Sequence, residues 1–179
     1  GANVTTTGNS QTYSGPVTLS ADTTLTDAGN ILFSSTVDGG YALTIINSGT
    51  GDVTFTGAVG GTNALTGLTI TTDVLTAAAI KSTGTLSVTN SGASSITGII
   101  SNGTSALAVT KAGIGKLTLS GANTYTGGTT ITNGVAKVGI SSTGTVTNGA
   151  FGTGSVTVNY ILGISYGAID LNTFTVANA

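Results

Sequence analysis

The chain has 179 residues and contains no Arg, Glu, His, Cys, Met or Trp; its only charges are four Lys and six Asp, for a net charge of −2. Without His or Cys the usual zinc and iron–sulfur ligand sets cannot be built, and four scattered Lys release too few counterions to hold nucleic acid. General acid–base and nucleophilic catalysis are left with few candidate groups.

From the N-terminus, Gly1-Ala2-Asn3-Val4 is neither an initiator Met nor a signal peptide, so the chain reads as a processed product or an excised fragment. The hydrophobic fraction is 39% and Pro occurs once, at Pro16. Near-zero net charge with that much apolar content is not the signature of disorder. No apolar run approaches the ~18 residues of a membrane helix.

Apolar residues then alternate with Thr or Ser along the chain: Val17–Leu19, Leu43–Ile45, Val53–Phe55, Leu86–Val88, Leu107–Val109, Leu117–Leu119 and Val156–Val158. Period two is the strand signature, with one face buried and one polar. Gly, Asn, Asp and Ser separate these runs at Asp27–Asn30, Asn47–Gly51, Asn90–Ala93 and Asn133-Gly134, and those residues make turns. Asn102-Gly103 and Asn148-Gly149 read as further tight turns. The one helix-like stretch, Ala77–Ile80, is too short to nucleate alone.

The strands repeat. A large apolar residue followed by Thr or Ser and a small residue recurs at Tyr13, Phe33, Phe55, Leu75, Ile96 and Leu119, at intervals of 20 to 23. A corner pattern recurs at Asp27, Asn47, Asn90 and Lys111, each followed two residues later by Gly. Phe33–Leu43 aligns with Phe55–Leu65 without a gap. Two landmarks with one period predict an all-β fold, a parallel β-helix (β-solenoid) of about 8–9 coils of roughly 21 residues. The large apolar residues would then stack as an interior ladder at the strand spacing of ~4.8 Å. A β-sandwich or up-and-down barrel is the other architecture for such strands, but neither requires one residue class every 21 positions.

Residues 113–139 resemble the passenger-associated transport repeat of bacterial autotransporters. Gly115, Leu117, Leu119, Gly121, Asn123, Thr124, Tyr125, Gly127, Gly128 and Thr129 match its core. Ala150–Asn159, Gly167–Asn172 and Phe174–Val176 are similar to the segment that follows it. Tyr160–Tyr166 departs from the short Gly-rich link expected there. The resemblance is specific over about residues 110–179, and residues before it are similar only in general to filamentous-haemagglutinin-like adhesin coils. One solenoid domain over 1–179 is therefore expected, with adhesin-like coils at 1–110 and transport-repeat-like coils at 111–179. The resemblance implies a right-handed β-helix from a secreted or cell-surface protein of a Gram-negative bacterium, linked through its parent to the outer membrane. It implies roles in adhesion, aggregation or biofilm, with host or neighbouring-cell surface components, or other copies of the chain, as partners. The absence of Cys is compatible with export, since no disulfide can lock the chain beforehand.

No catalytic, cofactor-binding or metal site emerges, and the chain is not expected to be an enzyme. Asp22, Asp27, Asp38, Asp52, Asp73 and Asp170 read as turn residues. Asp27 and Asp52 fall near each other on adjacent coils but lack a basic partner, which leaves a carbohydrate-active β-helix enzyme a weaker alternative. Calcium lacks both the EF-hand spacing and the Gly-Gly-x-Gly-x-Asp repeat. Thr-x-Thr units at Thr24–Thr26, Thr54–Thr56, Thr69–Thr71, Thr124–Thr126, Thr130–Thr132 and Thr173–Thr175 suggest an ice-binding face, but their offsets are irregular, so they read as ordinary solvent-facing Thr. Phe33 and Phe55 read as core. Tyr41, Tyr125, Tyr160 and Tyr166 read as core or corner, with an adhesive surface as the other possibility. Lys81, Lys111, Lys116 and Lys137 read as solvated edge charges. Asn3–Thr5 and Asn102–Thr104 fit a glycosylation triplet, which carries little weight in a bacterial protein. The second functional reading is a self-assembling fibre subunit whose strand edges stack end to end.

Overall fold

A computed structural model describes residues 3–8, 10–141, 148–159 and 167–170. Tyr160–Tyr166 and Thr173–Thr175 lie outside these residues. Among the described residues the chain forms strands and turns with no helix, and the strands pair in parallel as coils of a β-solenoid of about 7 turns.

Two long sheets run the length of the stack. The first contains Val4–Thr5, Thr23–Asp27, Ala42–Asn47, Leu65–Thr72, Ile80–Asn90, Ala108–Ala112, Thr129–Ile131 and Val156–Val158 in spatial order. The second contains Gln11–Tyr13, Ile31–Phe33, Val53–Phe55, Leu75–Ala77, Ser94–Ile96, Lys116–Leu119, Gly134–Val138 and Gly167–Asp170. A narrower third side stacks Val17 on Val37, Val37 on Val59, Val59 on Ile80 and Ile80 on Ile100. β-Branched Val, Ile and Thr suit the pleat, and the inner strands of both long sheets find their backbone partners in the coils above and below.

The alternation places one side of each strand inward. On the first sheet Leu25, Ile45, Ile70 and Val88 stack in register and are buried. On the second sheet Tyr13, Phe33 and Phe55 stack with ring centroids 4.7 and 4.8 Å apart and nearly parallel planes. That separation is the strand spacing itself, so the rings repeat at the pitch of the backbone.

The register differs from the sequence alignment at three points. Ala77, not Leu75, lies between Phe55 and Ile96 in the large-apolar ladder. Leu75 occupies the neighbouring inward position, between Val53 and Ser94, and is equally buried. Both positions point inward on this face because they are two residues apart, and residue size alone does not say which is which. Leu43 lies opposite Leu68 rather than Leu65, because Gly60–Ala64 forms a longer corner than Gly39-Gly40 in the coil before. Near the C-terminal end Thr129 lies opposite Val156, 27 positions on, and Gly134 opposite Gly167, 33 positions on. Coil length therefore changes at the corners while the strands stay stacked in register.

Register also brings the outward Thr residues together. Thr24, Thr44, Thr69, Ser87, Thr110, Thr130 and Thr157 form one continuous row on the first sheet. Two residues further along each strand, Thr26, Ile46, Thr71, Thr89 and Ala112 form a second. The irregular sequence offsets of these units come from corner length, not from misalignment on the face. Thr54 lies on the other sheet.

Candidate functional site

Buried polar side chains gather along one corner and in the coil that begins at Val109. At the corner, Asp27 lies opposite Asn47 and Thr72 opposite Asn90, and all four are buried. A corner turns backbone groups away from the ladder, and each of these side chains satisfies them. The Asp27 carboxylate accepts the N–H groups of Ala28 and Gly29 at 2.7 and 3.2 Å. Asn47 Nδ2 donates to the Gly29 carbonyl at 2.8 Å, and Thr72 Oγ1 to that of Gly51 at 3.0 Å. Asn90 Nδ2 donates to the carbonyls of Gly92 at 2.7 Å and Lys116 at 3.0 Å. Burial raises the Asp27 carboxyl pKa, but hydrogen bonds from Thr6 and the amides of Gly29, Ala28 and Gly8 outweigh it and hold the group below its ordinary value. The corner series in the sequence contained Asp27, Asn47 and Asn90 and missed Thr72, whose hydroxyl performs the same task without the Asx signature.

Lys111 departs from the expected solvated charge. Its backbone lies opposite Val88 on one side and Ile131 on the other, so its aliphatic stem occupies the interior ladder, and the residue is 1% exposed. The stem then reaches the corner. There the ammonium donates to the carbonyls of Ala112, of Gly113 at 2.8 Å and of Asn133 at 3.3 Å. Lys111 thus caps the corner that Asn90 caps one coil earlier, but from two residues before. Burial pushes its pKa down to about 8.

The same coil continues through a series of close approaches. A Cβ on Gly115 would lie 2.3 Å from the Gly92 carbonyl oxygen, and one on Gly121 2.2 Å from that of Gly98. Asn123 is fully buried. Its Oδ1 accepts the Ile100 N–H at 2.8 Å, its Nδ2 donates to the Ala150 carbonyl at 2.7 Å, and its backbone exchanges hydrogen bonds with Gly149. One side chain therefore ties the coil below to the coil above. Tyr125 is core, not surface: it is fully buried and its hydroxyl lies 2.6 Å from Thr129 Oγ1, which donates to the Phe151 carbonyl at 3.2 Å. Burial raises the phenol pKa well above its ordinary value, while the Thr129 bond opposes that rise. Tyr41, by contrast, is exposed.

Two of the carboxylates, Asp22 and Asp38, serve backbone in adjoining coils. Asp22 accepts the Ala42 N–H at 2.9 Å, and Asp38 accepts those of Thr62 and Asn63 at 2.8 and 3.1 Å. Asp73 accepts the Ser91 hydroxyl at 2.7 Å. Asp27 serves its own corner, and the backbone N–H of Asp52 is held by Asn30 Oδ1 at 2.9 Å. Asn102 Oδ1 likewise receives the N–H groups of Leu107 and Thr126. These inter-coil acceptors read in the sequence as turn formers only. Their partner lies about one coil away, and corner length decides which residue it is.

This arrangement defines a β-solenoid in which one coil is fastened to its neighbours by buried polar side chains. Residues 109–135, which contain Lys111, Asn123, Tyr125 and Thr129, match the family model of the passenger-associated transport repeat, so the chain carries the passenger repeat of autotransporters at that position. No curated protein and no solved structure matches the chain. The repeat and the fold fit a segment of an autotransporter passenger, and the repeat family suggests a secreted or surface-exposed protein.

Proposed function

We propose that the chain is a non-catalytic structural and adhesive segment of such a passenger, displayed on or released from a Gram-negative cell. The observation that carries this reading is the transport-repeat coil, whose side chains are consumed in fastening neighbouring coils: Asn123 to Ile100 and Ala150, Lys111 to Gly113 and Asn133. Such a coil builds a stiff stalk and leaves its lateral faces for contact with host or neighbouring-cell surface components. Displaying the chain on a non-adherent Gram-negative host tests it. The reading predicts increased cell aggregation or surface attachment without glycan cleavage. Unchanged attachment on every surface tried, or glycan turnover lost on Asp52→Asn, would count against it.

End-to-end assembly is the second reading. It is favoured by an apolar cavity at the first coils, lined by Val4, Tyr13, Val17, Leu19, Leu25 and Phe33. Such a surface accepts another coil, whether from the same chain or from a second copy. Micrometre-long rods of purified chain in electron microscopy would select the second copy, and single short particles would select against it.

A further inference from the structure

The two outward rows on the first sheet are a surface that fastening the coils does not use. The first row runs in register from Thr24 to Thr157 and is Thr in every coil except at Ser87. Within a row, neighbours are one coil apart, about 4.8 Å, and between rows they are two residues apart, about 6.7 Å. Six coil intervals give the first row a length of about 29 Å.

Composition separates this face from the outward line of the second sheet, and two further observations bear on what it can bind. Neither row contains a charged residue. The outward line of the second sheet does, with Lys137 opposite Asp170. The side-chain hydroxyls of the first row have no hydrogen-bond partner within the protein among the described residues, as is also true of Thr54, Thr76 and Thr118 on the second sheet, whereas Thr72, Thr97, Thr129 and Thr132 each spend theirs on a carbonyl. Finally, the rows stay in register although the sequence intervals between them vary widely. The corners absorb the variation and the face does not.

We propose that this face binds crystalline water: it is an ice-binding surface. The Thr residues of the two rows, with Ile46 and Ala112 among them in the second, offer water methyl groups, which order the first hydration shell, and beside them hydroxyls, which anchor that shell by hydrogen bonds. The prism faces of hexagonal ice repeat along two perpendicular directions at distances close to the two spacings of this lattice. A neutral face also avoids ionic hydration, which orients water around the charge and breaks such a lattice. The inference deepens the adhesive reading by naming a face and a ligand class, and it rests on that reading only for its biological use.

The test is partition of the purified chain into slowly grown ice, together with inhibition of ice recrystallisation. Wild type is expected to enrich in the ice fraction. Thr69→Lys with Thr110→Lys, in the centre of the first row, is expected to reduce enrichment at least tenfold, while Thr54→Lys with Thr76→Lys on the other sheet leaves it unchanged. Circular dichroism of all three proteins checks that the fold is kept. Exclusion of wild type from ice, or equal loss from both pairs of substitutions, overturns the proposal. So does a concentration-dependent dimer abolished only by the Thr69 and Thr110 substitutions, which would assign the face to a second copy. Cell attachment on ordinary surfaces is read separately: its failure with ice binding intact removes the broader adhesive reading and not this face.

Discussion

Raising the pH above neutrality should stabilise this protein, and one residue should be responsible. Lys111 is 1% exposed, and burial brings its pKa from 10.5 down to about 8. In the unfolded chain the group keeps its proton up to about pH 10.5, whereas in the folded chain it releases it near pH 8. Between those values the unfolded state binds more protons, so stability rises with pH across the window. At about 1.4 kcal/mol per pH unit, the full gain is on the order of 3 kcal/mol. Below pH 8 both states are protonated and Lys111 contributes no slope. Above pH 10 the raised Tyr125 phenol acts in the opposite sense, because the unfolded chain then loses phenolic protons first. Urea unfolding at pH 7, 8, 9 and 9.8 should therefore show a midpoint that changes little between pH 7 and 8 and climbs from pH 8 to 9.8. In Lys111→Met the aliphatic stem is kept, the titrating group is gone, and the climb should vanish. An equal climb in Lys111→Met, or a fall in the wild type between pH 8 and 9.8, would refute the reasoning.

Asn123→Ala should destabilise by about 2–4 kcal/mol, because it strands the buried Ile100 N–H and Ala150 C=O together; chemical denaturation measures it. Gly134→Ala should lower the melting temperature clearly: the residue sits at φ +71° and the new Cβ would lie 2.3 Å from the Gly113 carbonyl oxygen. Phe33→Ala should cost about 3–5 kcal/mol, as it empties the centre of the Tyr13–Phe33–Phe55 stack. Phe55→Leu, which keeps most of the volume, should cost less than half of that in the same unfolding experiment.

The solenoid was legible because its two strongest sequence signals are local. Alternation at Leu43–Ile45 or Val53–Phe55 fixes which side of a strand faces in, and the recurrence of Phe33 and Phe55 fixes that coils repeat. Exact register was not legible, because it depends on corner length. The five residues Gly60–Ala64 shift Leu43 from Leu65 to Leu68, yet a Gly-rich corner carries no mark of how far it shifts the strand after it. The transport-repeat residues showed the converse. Asn123 and Tyr125 stood out as part of a motif, but their burial depends on Gly149, Ala150 and Phe151 closing over them from the next coil. Lys111 was misread because an ammonium is normally solvated. Only the three carbonyls presented by the corner make its burial tolerable. The alignment of the Thr rows was hidden for the same reason as the register: intervals counted along the chain include the corners, and the face does not.

The account depends most on the register in which the coils stack, and the absence of Cys from the chain makes that register directly measurable. Thr44 lies opposite Thr69, at a separation of about 4.8 Å between adjacent strands, within the Cα range that a disulfide spans. Alignment of the sequence alone would place Thr66 there instead. Oxidation of the chain carrying Thr44→Cys and Thr69→Cys should give a rapid intramolecular disulfide, seen as a mass loss of two hydrogens in the monomer, and Thr44→Cys with Thr66→Cys should give little. Efficient cross-linking of the second pair and not the first would contradict the stacking on which the corner column, the transport-repeat coil and the threonine face all depend.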